Sequence, residues 1–381
     1  MTDLFIFAGE TSGDLHGEKL LGALQLRRPD LHVVGVGGPK MRSLNMKCIL
    51  PMEEFQVMGF IDVLLALPKL MRLFRTVRNA ILSANPKVVL FIDYPGFNLR
   101  MAKALRKKKF QGKISHYICP SVWAWGKKRI PQMAQTLDLL MTILPFERDC
   151  FSETSLDVRY VGHPLVKRIQ EHHYQDLNLT NDKTIIALFP GSRMKELIRN
   201  LPLQLRTLNR LLKTDPDLLF AISVSESRFL PKIEEMIQNE KLQLGQNVVL
   251  IPSENNYDLM RTCDLAIAKS GTVALELALH RVPTVVMYAV TPLDQFIALN
   301  IFCIRLRFYC LVNIICRTEV FPELIGSNLT EDSLYNAIYK FLNDPVYQNQ
   351  CSSRCQELIG ILQNRDAGRE AAEALLNLLG Y

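Results

Sequence analysis

The 381-residue chain has no Cys-x-x-Cys pair and only two tryptophans. It also has no uncharged apolar run long enough to cross a bilayer. Each absence removes a class of protein. Nine cysteines is an odd count, with Cys351 and Cys355 the nearest pair and Cys303, Cys310 and Cys316 scattered. Neither a disulfide framework nor a zinc site fits that spacing, and reduced, mostly buried thiols of a cytosolic protein are expected. Met1 to Gly13 holds one apolar run without a basic leader or cleavage site, so no signal peptide is expected. The most apolar later stretch, Phe296 to Cys316, is broken by Arg305 and Arg307. A spanning helix would bury both charges, which excludes that reading.

What is present is an ordinary globular balance, 48% hydrophobic and 22% charged. The length exceeds what one core usually organises, so two domains are expected. The surplus of 45 basic over 38 acidic residues gives +7, which suits a phosphorylated substrate, an acidic lipid surface or a nucleic acid.

Short apolar runs ending in turn residues recur, each followed by a helical pattern. They are Leu4 to Ala8, His32 to Val36, Lys87 to Ile92, Lys113 to Ile118, Leu139 to Leu144 and Val158 to Val161. Continuous rather than alternating apolarity predicts strands covered on both faces, as in a parallel sheet. The polar stretch Gln170 to Lys183 reads as a linker. The alternation then restarts at Thr184 to Phe189, Leu218 to Val224, Asn247 to Ile251, Asp264 to Ala268 and Pro283 to Tyr288, predicting a second doubly wound α/β half. Gln356 to Leu379 is helical by pattern.

In such sheets ligands bind beyond the carboxyl ends of strands, so groups just after a strand matter most. Pro190-Gly191-Ser192-Arg193 and Ser270-Gly271-Thr272 are two strand-to-helix turns suited to anions. Arg193 adds a fork-shaped charge for a diphosphate, and Glu276 could accept from ribose hydroxyls. The bland alternative is a pair of capped helix starts, but two such turns in one half favour a nucleotide. In the first half Gly9 to Asp14, carrying Glu10, Ser12 and Asp14, and Gly35 to Pro39 lack the full fingerprints of P-loop and dinucleotide sites. Together they would line an acceptor rim.

Asp93 ends an apolar strand before Pro95. A partly desolvated carboxylate there can take a proton from an attacking hydroxyl, or it can simply cap the next helix; motif chemistry alone leaves both open. Trp123 and Trp125 beside Lys127-Lys128-Arg129 could meet a sugar or lipid headgroup, or act as plain interface anchors. Val57 to Ile81 carries Val63, Leu64, Leu67 and Leu70 with Lys69, Arg72, Arg75 and Arg78 at every third position. That pattern fits an interfacial membrane helix or a core helix with a solvated basic side, and the basic cluster Arg106 to Lys109 favours the membrane. Asp215-Pro216-Asp217 precedes a strand, and His172-His173 sits in the linker without a partner carboxylate, so no metal and no cofactor are expected.

These motifs, in this order, resemble the lipid-A-disaccharide synthases, glycosyltransferase family nineteen. The likeness runs from Ala8 to Asp14 through Val57-Met58-Gly59, Ile92 to Pro95, Pro120 to Trp125, Leu144 to Glu147 and Val161 to Pro164. It continues through Pro190 to Arg193, Ser270 to Thr272, Asn313 and Pro322-Glu323-Leu324, covering nearly the whole chain. The resemblance implies a GT-B fold, two Rossmann-like doubly wound domains facing a central cleft. The domains would be an acceptor-side domain over 1–168 and a UDP-sugar-binding domain over 183–345. A C-terminal helical segment over 346–381 would return to the first domain.

The implied reaction is an inverting, metal-independent transfer of 2,3-diacylglucosamine from its UDP derivative to 2,3-diacylglucosamine 1-phosphate (lipid X). A β-1,6 linkage forms and UDP leaves. Asp93 falls on the family's proposed general base, and Gly191, Ser192, Arg193, Ser270, Gly271, Thr272, Glu276 and Asn313 fall in donor-binding segments. The family often has a second aspartate where this chain has Gly96. Expected partners are the two lipid substrates and an anionic membrane surface, with no nucleic acid; a homo-oligomer stays open. The expected place is the inner face of the cytoplasmic membrane, held peripherally. A soluble UDP-GlcNAc epimerase or another lipid-linked sugar transferase is the competing enzyme, and a basic nucleic-acid-binding protein the non-enzymatic one.

Overall fold

The computed structural model describes residues 2–44, 46–55, 67–124, 126–179, 182–291, 300 and 306–381. The chain divides into two compact units, Met1–Lys167 with Asn364–Tyr381, and Arg168–Gln363.

The first unit is built on strands β1 (Leu4–Ala8), β2 (Val33–Gly37), β3 (Lys47–Pro51), β4 (Val88–Ile92), β5 (Lys113–Tyr117), β6 (Leu139–Thr142) and β7 (Asp157–Tyr160). They pair in the order β3-β2-β1-β4-β5-β6-β7, all parallel. Residues of β1 alternate between two cores, as a sheet covered on both sides requires. Leu4, Ile6 and Ala8 join Leu20, Leu21 and Leu24 of the Thr11–Arg27 helix and Ala371, Ala372 and Leu375 of the Ala367–Leu379 helix. Phe5 and Phe7 join Leu73, Val77 and Ile81 of the Leu67–Ala84 helix and Leu99, Ala102 and Leu105 of the Pro95–Lys107 helix.

The second unit carries β8 (Thr184–Phe189), β9 (Leu218–Val224), β10 (Val248–Pro252), β11 (Leu265–Lys269), β12 (Thr284–Tyr288) and β13 (Glu323–Ile325). Their order is β10-β9-β8-β11-β12-β13, again all parallel. Central strands therefore lie where continuous apolarity predicts them. The edge strands β3 and β13 hold only short apolar runs, Cys48 to Leu50 and Leu324-Ile325, because half-buried edges need no long one.

Three expectations need correction. The stretch read as a linker packs onto the second unit: Tyr174, Leu177 and Leu179 lie against its buried cluster. The helical pattern over Gln356 to Leu379 is two helices, Pro345–Leu362 and Ala367–Leu379, parted at Gln363 with φ +57°. Asp366 starts the second by accepting from the Arg369 N–H at 3.1 Å. Third, His172 does have a carboxylate partner, Asp258, 3.1 Å away and 86 residues downstream. Among the described residues no helix is long and apolar enough to cross a membrane.

Candidate active site

Each sheet reverses its strand order once, and each reversal leaves a crevice beyond two neighbouring strand ends. In the first unit the reversal lies between β1 and β4. The segment after β1 brings Glu10 and Ser12; the segment after β4 brings Asp93. Ser12 Oγ donates to Asp93 Oδ2 at 3.2 Å. Burial, and then the charge of Asp93, raises the Glu10 carboxyl above its ordinary value. Burial lowers the His16 imidazole, with Asp93 opposing that shift. The carboxylate of Asp93 thus acts on two titratable neighbours, Glu10 at the N-cap of the Thr11–Arg27 helix and His16 within it.

Asp93 and Tyr94 both adopt left-handed backbone, φ +49° and +45°. Two consecutive non-glycine residues there cost about 1–3 kcal/mol each, so the surroundings must hold them. Asn98 does much of this: its buried Nδ2 donates to the Asp93 carbonyl at 2.5 Å and to the Ile92 carbonyl at 3.3 Å. The Asp93 N–H donates to the Tyr117 carbonyl at 2.9 Å. Below the turn Phe7 stacks on Phe97 at 4.6 Å, with Phe55 edge-on to both. Pro95 opens the next helix where its missing N–H costs nothing. At Gly96 an added Cβ would meet no atom within 4 Å.

Asp14 behaves differently from its neighbours. It is buried, and its carboxylate accepts from the N–H groups of Gly38, Lys40 and Met41 at 2.8, 3.1 and 3.1 Å. It ties the loop after β2 to the first helix.

In the second unit the reversal lies between β8 and β11, and both anion-type turns stand there. Gly191 has φ +129°, a conformation L side chains rarely adopt. Ser192 donates its N–H to Glu196 Oε2 at 3.1 Å, while the Arg193 side chain is 80% exposed. Asn200, fully buried, donates to the Pro190 carbonyl at 2.8 Å and accepts from the Ala289 N–H at 3.1 Å. Gly271 and Thr272 are exposed at the start of the Thr272–Leu279 helix, and Ser270 Oγ donates to the Tyr309 carbonyl at 3.5 Å. Glu276 accepts from the Tyr257 hydroxyl at 3.0 Å; burial raises its carboxyl, with Tyr257 and Arg168 opposing.

Asn313 is buried, and both ends of its amide are used. It donates to the Phe321 carbonyl and Glu323 Oε1, and accepts from the N–H groups of Val320 and Phe321. Glu323 in turn accepts from the Tyr309 and Cys310 N–H groups. A chain of hydrogen bonds therefore leads from Asn313 to the residue that Ser270 contacts.

Of the surface residues, Val63, Leu64 and Trp125 lie outside the described residues, as do the side chain of Leu67 and the Val57-Met58-Gly59 motif. Leu70 is half-buried, while Met71, Arg72 and Arg75 are exposed. The buried stripe of this helix, Leu73, Val77 and Ile81, is core. Arg106 is not a free surface cation either: it bonds Asp138 and the carbonyls of Phe110, Gly112 and Thr136. Trp123 packs edge-on against Phe146, 5.5 Å between centroids. Beside it Glu147 is buried, accepting from the Leu144 N–H at 3.1 Å. Burial pushes its carboxyl up to about 8, against hydrogen bonds from Leu144, Ile143 and Trp123.

Motif reading does not single out Asn98, Glu196, Asn200 and Lys269 as site residues, and the Leu144 to Glu147 motif does not reveal that Glu147 is buried. One left a signal: Asn200, like Gln204 one turn on, is a polar residue interrupting the stripe Leu197, Leu201, Leu205, Leu208. A separate concavity of about 480 Å³, lined by Lys183, Leu219, Gln246 and Val249, opens at the amino ends of strands, the edge that ligands avoid in this architecture.

Residues 4–375 match the family model described as lipid-A-disaccharide synthetase. The lipid-A-disaccharide synthase of Chlamydia pneumoniae is 44% identical over 330 residues, covering 85% of this chain and 54% of that protein. That of Azotobacter vinelandii is 34% identical over 379 residues, covering 98% and 97%. The chain spans little more than half the length of the chlamydial relatives. Among solved structures, a putative UDP-N-acetylglucosamine 2-epimerase from Listeria monocytogenes is similar with a TM-score of 0.61 and 13% identity, covering 98% and 94%. The UDP-GlcNAc 2-epimerase from Neisseria meningitidis, bound to UDP-GlcNAc, gives 0.60 and 12%, covering 100% and 99%. At such identities the likeness is one of fold, two Rossmann-like units of the GT-B kind.

Proposed function

The chain belongs to the lipid-A-disaccharide synthetase family, and from that premise we propose that it joins two acylated glucosamines. The donor is UDP-2,3-diacylglucosamine, the acceptor 2,3-diacylglucosamine 1-phosphate, and the products a β-1,6-linked disaccharide 1-phosphate and UDP. The observation that carries the reading is the carboxylate of Asp93, engaged by Ser12 at the reversal point of its sheet and backed by a strained turn. As the acceptor's 6-hydroxyl attacks the anomeric carbon, Asp93 takes its proton. The anomeric carbon–oxygen bond to UDP breaks on the opposite face, inverting the centre. Charge growing on the UDP oxygens is met by Arg193 and by N–H groups at the Ser192 and Thr272 helix starts, donors already oriented before reaction. Glu276 serves the ribose, and Asn313 supports Ser270 through Glu323 and Tyr309.

Mass spectrometry of products from the two acylated substrates tests the proposal. The expected product is the tetraacyl disaccharide 1-phosphate with UDP. Turnover of UDP-GlcNAc alone, with no disaccharide from the acylated pair, would replace it with an epimerase.

The acyl chains require a bilayer source, so the proposal extends to peripheral attachment at an anionic surface on the inner face of the cytoplasmic membrane. Its support is the exposed group Met71, Arg72 and Arg75, an apolar side chain edged by cations. Replacing Leu70 and Met71 by Ser should lower sedimentation with anionic vesicles and leave folding intact. Unchanged sedimentation would sink this extension.

A further inference from the structure

Resting on the donor reading above, we propose that Lys269 is a phosphate-binding cation of the donor site, and that Glu196 occupies the phosphate's place while the site is empty. Lys269 is the last residue of β11 and directly precedes the Ser270–Gly271 turn. Its ammonium lies 3.2 Å from Glu196 Oε1, in a pair whose side chains are only 19% and 13% exposed. The same ammonium stands 3.9 Å from the point a Cβ on Gly271 would occupy. It therefore sits beside one glycine turn while pairing with a carboxylate lodged in the other.

That carboxylate is placed as an anionic ligand would be. Glu196 Oε2 accepts the Ser192 N–H at 3.1 Å and lies 2.7 Å from the position of a Gly191 Cβ, in the space the glycine leaves open. Oε1 faces Lys269 and, at 3.5 Å, Arg193. One backbone N–H and two cations around a single carboxylate form a donor set that a phosphate group also satisfies. A diphosphate that takes the Ser192 N–H displaces Glu196. Lys269 would then be left partly buried without its counter-charge, a costly state that pairing with the phosphate removes. The Tyr288 ring, its centroid 4.9 Å from the ammonium, favours the cation. Glu196 is also the third residue of the Met194–Leu212 helix, where an acid capping N–H groups is common. A cap alone gives Lys269 no part in binding UDP, and that difference is measurable.

The test is a two-residue cycle, titrating UDP by calorimetry and uridine by saturation-transfer NMR. Circular dichroism melts check that each variant is folded. Lys269→Met, which keeps an unbranched apolar side chain without the charge, should weaken UDP about tenfold or more while leaving uridine unchanged. Lys269→Arg should recover most of the loss. The decisive arm is Lys269→Met in a Glu196→Gln background, where the loss of UDP affinity should persist. If it vanishes there, Lys269 only neutralises Glu196 and the assignment is overturned. Equal losses of UDP and uridine, or unaltered UDP binding in Lys269→Met, overturn it too. Absence of UDP binding to the unmodified chain would instead remove the donor reading, and this inference with it.

Discussion

Glu147 offers a prediction whose size can be worked from its surroundings. Its carboxyl is buried beneath Trp123 and moves from an ordinary 4.5 to about 8, chiefly through burial. Between those values the unfolded chain releases the proton while the folded chain keeps it. Stability therefore falls as pH rises from about 4.5 to about 8, and the full cost stands above that range. At about 1.4 kcal/mol for each pH unit between the two values, the ceiling is about 5 kcal/mol. Glu147→Gln retains an oxygen to accept the Leu144 N–H and removes the titration. Urea unfolding at several pH values should give the two chains similar stability near pH 4.5. The variant should gain steadily towards pH 8, by up to about 5 kcal/mol. Because the chain has only two tryptophans, emission should also titrate with a midpoint near 8 in the natural chain. That transition should be missing from Glu147→Gln. Parallel stability curves from pH 5 to pH 9, or an emission change that survives the substitution, would refute the reasoning.

Three further outcomes follow from the site. Asp93→Asn should lower kcat by about 10²–10⁴ with UDP affinity preserved, read by steady-state kinetics and calorimetry. Asn98→Ala removes the donor that steadies the Asp93 turn, worth about 1–2 kcal/mol. Its kcat should drop about five- to thirtyfold at that energy while the donor KM holds, and equal changes in both would deny Asn98 a positioning role. Gly191→Ala places a Cβ 2.6 Å from that of Glu196 at φ +129°, so UDP affinity should fall and the melting temperature drop, for a strain of about 1–3 kcal/mol.

The reach of the sequence differed by kind of residue. Buried strands such as Phe5-Ile6-Phe7 announce themselves because both faces demand apolar side chains. Glycine turns after those strands are legible because the backbone conformation restricts the residue type. Supporting polar groups are not. Asn98 and Asn200 act on carbonyls that only the folded turn presents, and the partner of His172 lies 86 positions away. The Leu67–Ala84 helix is ambiguous in sequence for a related reason. An apolar stripe edged with cations describes a core helix and a membrane helix equally, and burial of Leu73, Val77 and Ile81 assigns that part to the core. Trp123 likewise reads as a surface aromatic until Phe146 and Glu147 are found against it.

The Ala367–Leu379 helix has a consequence for how the protein is made. It closes the core over Leu20, Leu21 and Leu24, and Arg27 pairs with Glu373 at 3.2 Å across the same face. Yet all of Arg168–Gln363 is synthesised between these two surfaces. A ribosome adding about 5–20 residues each second leaves the greasy side of the first helix waiting many seconds for its cover. The unit begun first is finished last, and the unit between can reach its native state beforehand. During that interval a chaperone, or a neighbouring nascent chain, finds an apolar helix face on offer. Truncation before residue 367 would make the delay permanent, so such a fragment should aggregate even though every residue assigned here to chemistry is present.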